Sequence, residues 1–434
     1  HMLNRDYMYQ CMYLYLATGK RQYADYIRTM LLDYAGKYAG WFEHNSGRKA
    51  TDQHSGKAFA QSLDEANWAT KVAMAYMAIK PVLSKEEVKA IEEGYLQPAA
   101  TLLLHRPAGA NWQMWHNSGL AALGIALEND SIVDVAINKD KYGYHYLIGK
   151  HKNSDGWINE GSPHYHYYPL EALLFTANAV KCRGIKLFDK DLHDMFVEPV
   201  KGTYPDLSFP AHSDGWYGAN LLSQSALYEV GNARYNDPFL KRVLELTYAQ
   251  KKRLDPEALL SNQLIKASEE SLLQKSYSFD TSGFCLLRSD TRTVVLKFGG
   301  EGIGHGHPDK LSITIHDGKN ELVSDFGTSG YGVPDYLKWY KRTLSHNTVT
   351  VDAKDQKRSV GKLLKFNPRS DGGYAEAETT TAYPGVRMKR SLDLKGTHLQ
   401  DVYTCTSDSS HLYEYVILFN EKPLMDCLLY TSPS

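Results

Sequence analysis

Apolar residues recur at helical spacing from about residue 5 to about residue 250, as in 121–127, 170–180 and 221–230, with glycine and proline between the segments. About seven to ten helices fit that stretch. From about residue 276 the period shortens to two. Alternation recurs at 294–298, 311–315, 348–351 and 413–419, which predicts a run of strands. Helices followed by strands, rather than alternating with them, argue for separate layers or domains and against a parallel α/β sheet.

The pattern predicts an α+β multidomain chain: a helical domain over residues 3–250, a polar linker over 251–275 and an antiparallel β-sheet domain over 276–426. At 434 residues the chain exceeds the size at which one core usually keeps growing, which agrees with two domains. Cys427-Leu428-Leu429-Tyr430-Thr431-Ser432-Pro433-Ser434 breaks from the strand pattern, so 427–434 is expected to be a non-native tail. His1-Met2 is likewise expected to be a cloning remnant, and no charged-then-apolar signal segment follows it.

Composition narrows the partners. No apolar run is long enough to span a bilayer, so membrane insertion is not expected. A net charge of -1 offers no global attraction to polyanions. Nucleic acid is therefore not an expected partner, and an anionic substrate would need a local basic cleft. Tyrosine is frequent, with 31 residues beside 7 tryptophans, and such rings suit sugar faces as well as cores. Five scattered cysteines show no metal, redox or disulfide spacing.

The densest chemistry lies in three separated segments: His305-Gly306-His307-Pro308-Asp309-Lys310-Leu311-Ser312, Ser324-Asp325-Phe326-Gly327 and Ser345-His346-Asn347-Thr348-Val349. His307, Asp325 and His346 are candidate metal ligands. Two imidazoles and a carboxylate suit a divalent ion, zinc first, which usually adds one more ligand. In extended chain, residues i and i+2 point to one face, so His305 and His307 can serve one cavity, with His305 left for chemistry.

This ordered block, closing on His346-Asn347-Thr348-Val349-Thr350-Val351-Asp352, resembles the C-terminal region of heparinase II/III-like polysaccharide lyases. The resemblance implies an incomplete (α/α) toroid followed by an antiparallel β-sandwich, here shortened. It also gives meaning to two polar and aromatic clusters in the helical half, Asn111-Trp112-Gln113-Met114-Trp115-His116-Asn117 and residues 155–168. By resemblance Asn111, with His116 or Asn117 as alternatives, would bond a uronate carboxylate. Neutralising that charge makes the neighbouring C5 proton removable, and a preorganised donor of this kind contributes roughly 3 kcal/mol. Tyr165 would move the proton, given nearby positive charge to lower its usual pKa of about 10. His305 is the second proton-transfer candidate, and the metal would be structural, fixing the loop that carries it.

Trp112, Trp115, Asn117, Tyr168, Tyr336 and Arg342 are candidate substrate-binding residues, Arg342 through its forked geometry. The implied reaction is β-elimination on an acidic polysaccharide or oligosaccharide. Alginate stands ahead of heparin or heparan sulfate because the clusters are richer in Asn, His, Tyr and Trp than in Lys and Arg. Secretion or a periplasmic location follows from that substrate class. Two other classes compete: a toroid-fold glycoside hydrolase using Glu160 and Asp155, and a non-catalytic glycan-binding protein.

Overall fold

The computed structural model describes residues 1–47, 54–260, 264–268, 272, 275–300 and 304–422. The expected tail, 427–434, lies outside the described residues. Two compact units emerge. One comprises His1–Ile158, Tyr165–Pro199 and Leu222–Glu270; the other comprises Asn159–His164, Val200–Leu221 and Ser271–Ser434. The second unit thus draws two short pieces from the stretch whose hydropathy reads as helical.

The first unit is helical. The described residues of the chain form twelve α-helical segments, more than the hydropathy period resolves, because some are short, such as Tyr144–His151, and because Lys85–Ile91 and Gln97–Leu104 are one helix divided by the π-helical turn Glu92–Leu96. The helix Ala110–Ala126 is buried almost all round, which explains why it shows no polar stripe. It lies against the helix Ser62–Ile79, where the Thr70 and Ser118 hydroxyls meet at 2.8 Å. Gly119 permits that approach: a Cβ there would sit 2.8 Å from a Leu103 methyl and 3.3 Å from the Ala66 carbonyl oxygen. Among the described residues no helix is long and apolar enough to cross a membrane.

The second unit is antiparallel sheet. Its strands are β1 (Tyr277–Phe279), β2 (Phe284–Arg288), β3 (Thr293–Lys297), β4 (Ser312–His316), β5 (Glu321–Val323) and β6 (Val349–Val351). They continue as β7 (Lys362–Arg369), β8 (Gly372–Tyr383), β9 (Val386–Lys395), β10 (His398–Ser407) and β11 (Tyr413–Tyr415). The main sheet runs β10-β9-β8-β2-β3-β4-β5, with β1 on β2 and β7 on β8, and β11 pairs with β6 in a second, two-stranded sheet. Leu287, Leu296, Ile313, Met388 and Leu392 share one core with Val349 and Val351 of that small sheet. The described cysteines, Cys11, Cys182, Cys285 and Cys405, are free thiols.

Register brings the chemistry to one end of the main sheet. Lys297 of β3 lies opposite Ser312 of β4, and the Leu311 N–H donates to the Lys297 carbonyl at 2.7 Å. The loop carrying His305 and His307 therefore leaves and returns at a fixed point.

Candidate functional site

The site in the sheet unit is organised by a residue absent from the sequence-based candidates, Asp214. Its buried carboxylate accepts from His305 Nδ1 and from His307 Nε2, each at 2.9 Å. The Tyr331 and Tyr336 hydroxyls donate to it at 3.0 and 2.9 Å, and Lys341 Nζ lies 3.8 Å away. Burial alone would raise this carboxyl, but bonds from both imidazoles and the charge of Lys341 hold it well below the usual carboxylate range.

Backbone contacts hold Asp214 in place. The Asp214 N–H donates to the His305 carbonyl at 3.1 Å, and the Thr328 N–H to the Gly215 carbonyl at 3.0 Å. Gly327, at φ +59°, packs directly against the Gly215 carbonyl, a place with no room for a Cβ. The Asp214 turn, the His305 loop and the segment after Asp325 are thus laced together.

Both imidazoles predicted to share a cavity do share a carboxylate. With Nδ1 held by Asp214 and 2.8 Å from the Tyr331 hydroxyl, His305 presents Nε2 on its other side, 3.7 Å from the buried Glu160 carboxylate. The His305 side chain is one-fifth exposed (20%), so a ligand can reach it. His164 belongs to the same unit, and burial together with the nearby charge of His305 lowers its pKa.

The metal candidates form a buried layer below. His346 Nδ1 donates to Asp325 Oδ2 at 3.0 Å, and the rings of His307 and His346 lie 5.3 Å apart. His307 Nδ1 and His346 Nε2 are both buried without a hydrogen-bond partner among the described residues. The His307 lone pair, on a ring whose opposite nitrogen is fixed by the Asp214 carboxylate, matches the arrangement of a metal-bound imidazole. Asp309, Asp325 and His346 offer donor atoms within 4.8 Å of one another. Asp309, however, is paired with the ammonium groups of Lys297 and Lys310, which hold it well below the carboxylate range against the effect of burial. Both oxygens of Asp309 are thus ion-paired, whereas His307 Nδ1 has no partner among the described residues.

Several motif residues serve as scaffold. The Asn347 amide donates to the carbonyls of Ile313 and Ser324, each at 2.8 Å, and accepts from Leu418 N–H at 2.7 Å. Gln356 clasps Lys310 by both backbone groups, at 2.7 and 3.0 Å. These bonds satisfy buried polar backbone where no strand partner is available.

In the helical unit the candidates divide. Asn111 stands at the start of its helix and is 5% exposed, and Trp112 packs edge-on to His54 at 4.9 Å. Three assignments are corrected. Trp115 is fully buried against Tyr168 and Phe175, so no sugar can stack on it. His116 is fully buried, and burial lowers its pKa to about 4, leaving it a neutral core imidazole. Asn117 accepts from Gln113 and donates to the Tyr142 carbonyl, which ties its amide into the fold.

Tyr165 is half-buried in the first turn of the helix His164–Val180. Its neighbours His166 and Tyr167 are committed, His166 between Ile158 N–H and the Met195 carbonyl, Tyr167 to the Tyr228 hydroxyl. Tyr168 packs on Trp115, and burial with the nearby charges of Asp64 and Glu171 raises its hydroxyl well above the ordinary range. One further assignment changes in the sheet unit. Tyr336 is buried and serves Asp214, while Arg342, half exposed, is paired through Nε with Asp355 at 2.5 Å. Asp214 and the exposed Trp216 escaped the sequence reading. Residues 212–217, His-Ser-Asp-Gly-Trp-Tyr, are as dense in polar and aromatic groups as the two clusters that were singled out, and that density was the available signal.

Comparison with known proteins falls in line with this geometry. The family profile described as heparinase II/III-like, C-terminal, matches residues 272–424, and the alginate lyase profile matches residues 1–197. An alginate lyase of Stenotrophomonas maltophilia is 29% identical, over 94% of this chain and 60% of its own. An exo-oligoalginate lyase of Saccharophagus degradans is 26% identical, over 94% and 61%. The chain therefore spans about 60% of the length of these curated relatives. A solved heparinase III superposes with a TM-score of 0.69 at 16% identity, covering 98% of this chain and 67% of that one, a likeness of fold. The chain belongs to the heparinase II/III-like polysaccharide lyase superfamily.

Proposed function

We propose that this protein is a polysaccharide lyase that cleaves a uronate-containing acidic glycan by β-elimination, with alginate as the substrate class. The observation that carries the reading is His305 held by Asp214: a partly exposed imidazole with one nitrogen fixed by a buried carboxylate is suited to proton transfer through the other. The names of the two curated relatives, an alginate lyase and an exo-oligoalginate lyase, favour alginate. The heparinase likeness is one of fold and weighs less for the substrate.

In this mechanism the Asn111 amide bonds the uronate carboxylate and stabilises the enolate-like intermediate. Tyr165 and His305 handle the C5 proton and the departing O4. One of them suffices for both steps when proton and leaving group lie on the same side, and they divide the work when these lie on opposite sides. His307, Asp325 and His346 would hold a divalent ion, zinc by donor type, which when bound would stiffen the loop carrying His305. The helices are read as an incomplete (α/α) toroid, and the two sheets around one core as a β-sandwich. A polymer substrate of this class supports a location outside the cytoplasm, secreted or periplasmic.

Mass analysis of an alginate digest tests the reaction class. Elimination leaves an unsaturated uronate at the new non-reducing end, whereas hydrolysis leaves products heavier by one water. The hydrolase reading, with Glu160 as acid, is supported only by that side chain's approach to His305.

A further inference from the structure

A cavity of about 360 Å³ opens beside the His305 loop, with Gly304 and Gly306, the chain neighbours of His305, in its lining. That volume falls within the range of small-ligand pockets, roughly 300–1,000 Å³. Its lining is cationic at the mouth, where Lys357 and Arg358 are exposed and Lys341 stands beside them, while Lys310, buried deeper, is paired with Asp309; the one carboxylate of the lining, Asp355, is already paired with Arg342. Ser359 adds a second, independent feature. It lines the same cavity, is 4% exposed, and its hydroxyl is buried without a partner among the described residues. A buried orphan hydroxyl costs free energy unless a ligand completes it.

The whole chain is close to neutral, so this local concentration of charge stands out. We propose that the cavity is an anion subsite that takes the carboxylate of a second uronate, on the sugar chain next to the residue that reacts at His305. Lys357 and Arg358, both exposed, give the entrance the positive charge that meets the carboxylate. The Ser359 hydroxyl donates to it at the base, and Lys341, whose Nζ bonds the Gly304 carbonyl at 3.1 Å, connects the subsite to the Asp214 cluster. The subsite rests on the lyase reading for its substrate. It predicts recognition of at least two consecutive acidic sugars.

The test is the double variant Lys357→Ala/Arg358→Ala, with Ser359→Val as a second, uncharged probe of the same cavity. With trimannuronate as substrate, the subsite predicts a KM raised about tenfold with kcat held, the signature of lost ground-state binding, and a shallower dependence of KM on salt. Calorimetric titration of the chain and its variants with trimannuronate, and with a sulfated disaccharide in parallel, reads binding apart from turnover and distinguishes carboxylate from sulfate. Unchanged KM, salt dependence and titration in both variants overturn the subsite while leaving the lyase reading intact. Binding that the double variant loses, without unsaturated product from any acidic glycan, keeps the subsite and overturns the reaction.

Discussion

Asp214 bonds His305 Nδ1 with one carboxylate oxygen and His307 Nε2 with the other, both at 2.9 Å, and so ties the exposed imidazole to the buried one. The arrangement fixes the tautomer of each. On the proposed reading this leaves His305 Nε2 for proton transfer and His307 Nδ1 for a metal. An amide at this position would turn an N–H toward one ring and break the pairing.

Asp214→Asn is therefore expected to lower kcat by roughly 10²- to 10⁴-fold, as loss of an orienting carboxylate does for a catalytic histidine. The pH–rate profile should move as well, because Asp214 acts through His305 and not on the sugar. Unaltered kcat and profile in a folded variant would contradict this positioning role.

Metal content separates the two possible third donors. His346→Ala and His307→Ala should each abolish bound metal measured by mass spectrometry, and chelation of the unaltered protein should lower its melting temperature. Asp309→Asn should keep the metal but destabilise the fold by about 3 kcal/mol, since it strands the buried ammonium groups of Lys297 and Lys310. Loss of metal in Asp309→Asn with retention in His307→Ala would reverse the assignment.

His166 predicts acid sensitivity. It is buried between Ile158 N–H and the Met195 carbonyl, and burial lowers its pKa to about 4 from 6.5. Between those values the unfolded chain binds the proton and the folded chain does not, so stability falls as pH drops from 6.5 towards 4. The contribution is of the order of 3 kcal/mol. Urea unfolding across this range should show a gentler loss for His166→Gln than for the unaltered chain; parallel curves would refute it.

Gly327 lies where the Asp325 segment crosses the Asp214 turn. Gly327→Ala adds a methyl against the Gly215 carbonyl at a positive φ, and should cost about 2 kcal/mol of stability. Metal content and activity should fall with it, because both clusters hang on that crossing. Gly396→Ala, also at positive φ but with open space around it, serves as the control: a similar loss of metal there would argue against the crossing.

The order of helices then strands was legible because the hydropathy period changes once along the chain, near residue 276. Short helices such as Tyr144–His151 were not, since about two turns hold too few residues to establish a period. Asp325 and His346 stood out by residue type and do meet in the structure. Asp214 did not, because an aspartate before glycine reads as a turn residue. The cluster at 111–117 was rich in polar side chains, but the sequence could not tell Asn111 at the helix start from His116 and Asn117, which turn inward. Spacing assigns a residue to a helical face only when the faces differ, and this helix is buried on all sides.

The most direct test of the central claim is the ultraviolet absorbance of the unsaturated uronate, followed while the protein is offered alginate, heparin, heparan sulfate, hyaluronan and chondroitin, with His305→Ala and Tyr165→Phe alongside. The account predicts a steady rise with alginate that both variants abolish while remaining folded. No rise with any of the five glycans, or a rise that survives both substitutions, would contradict it.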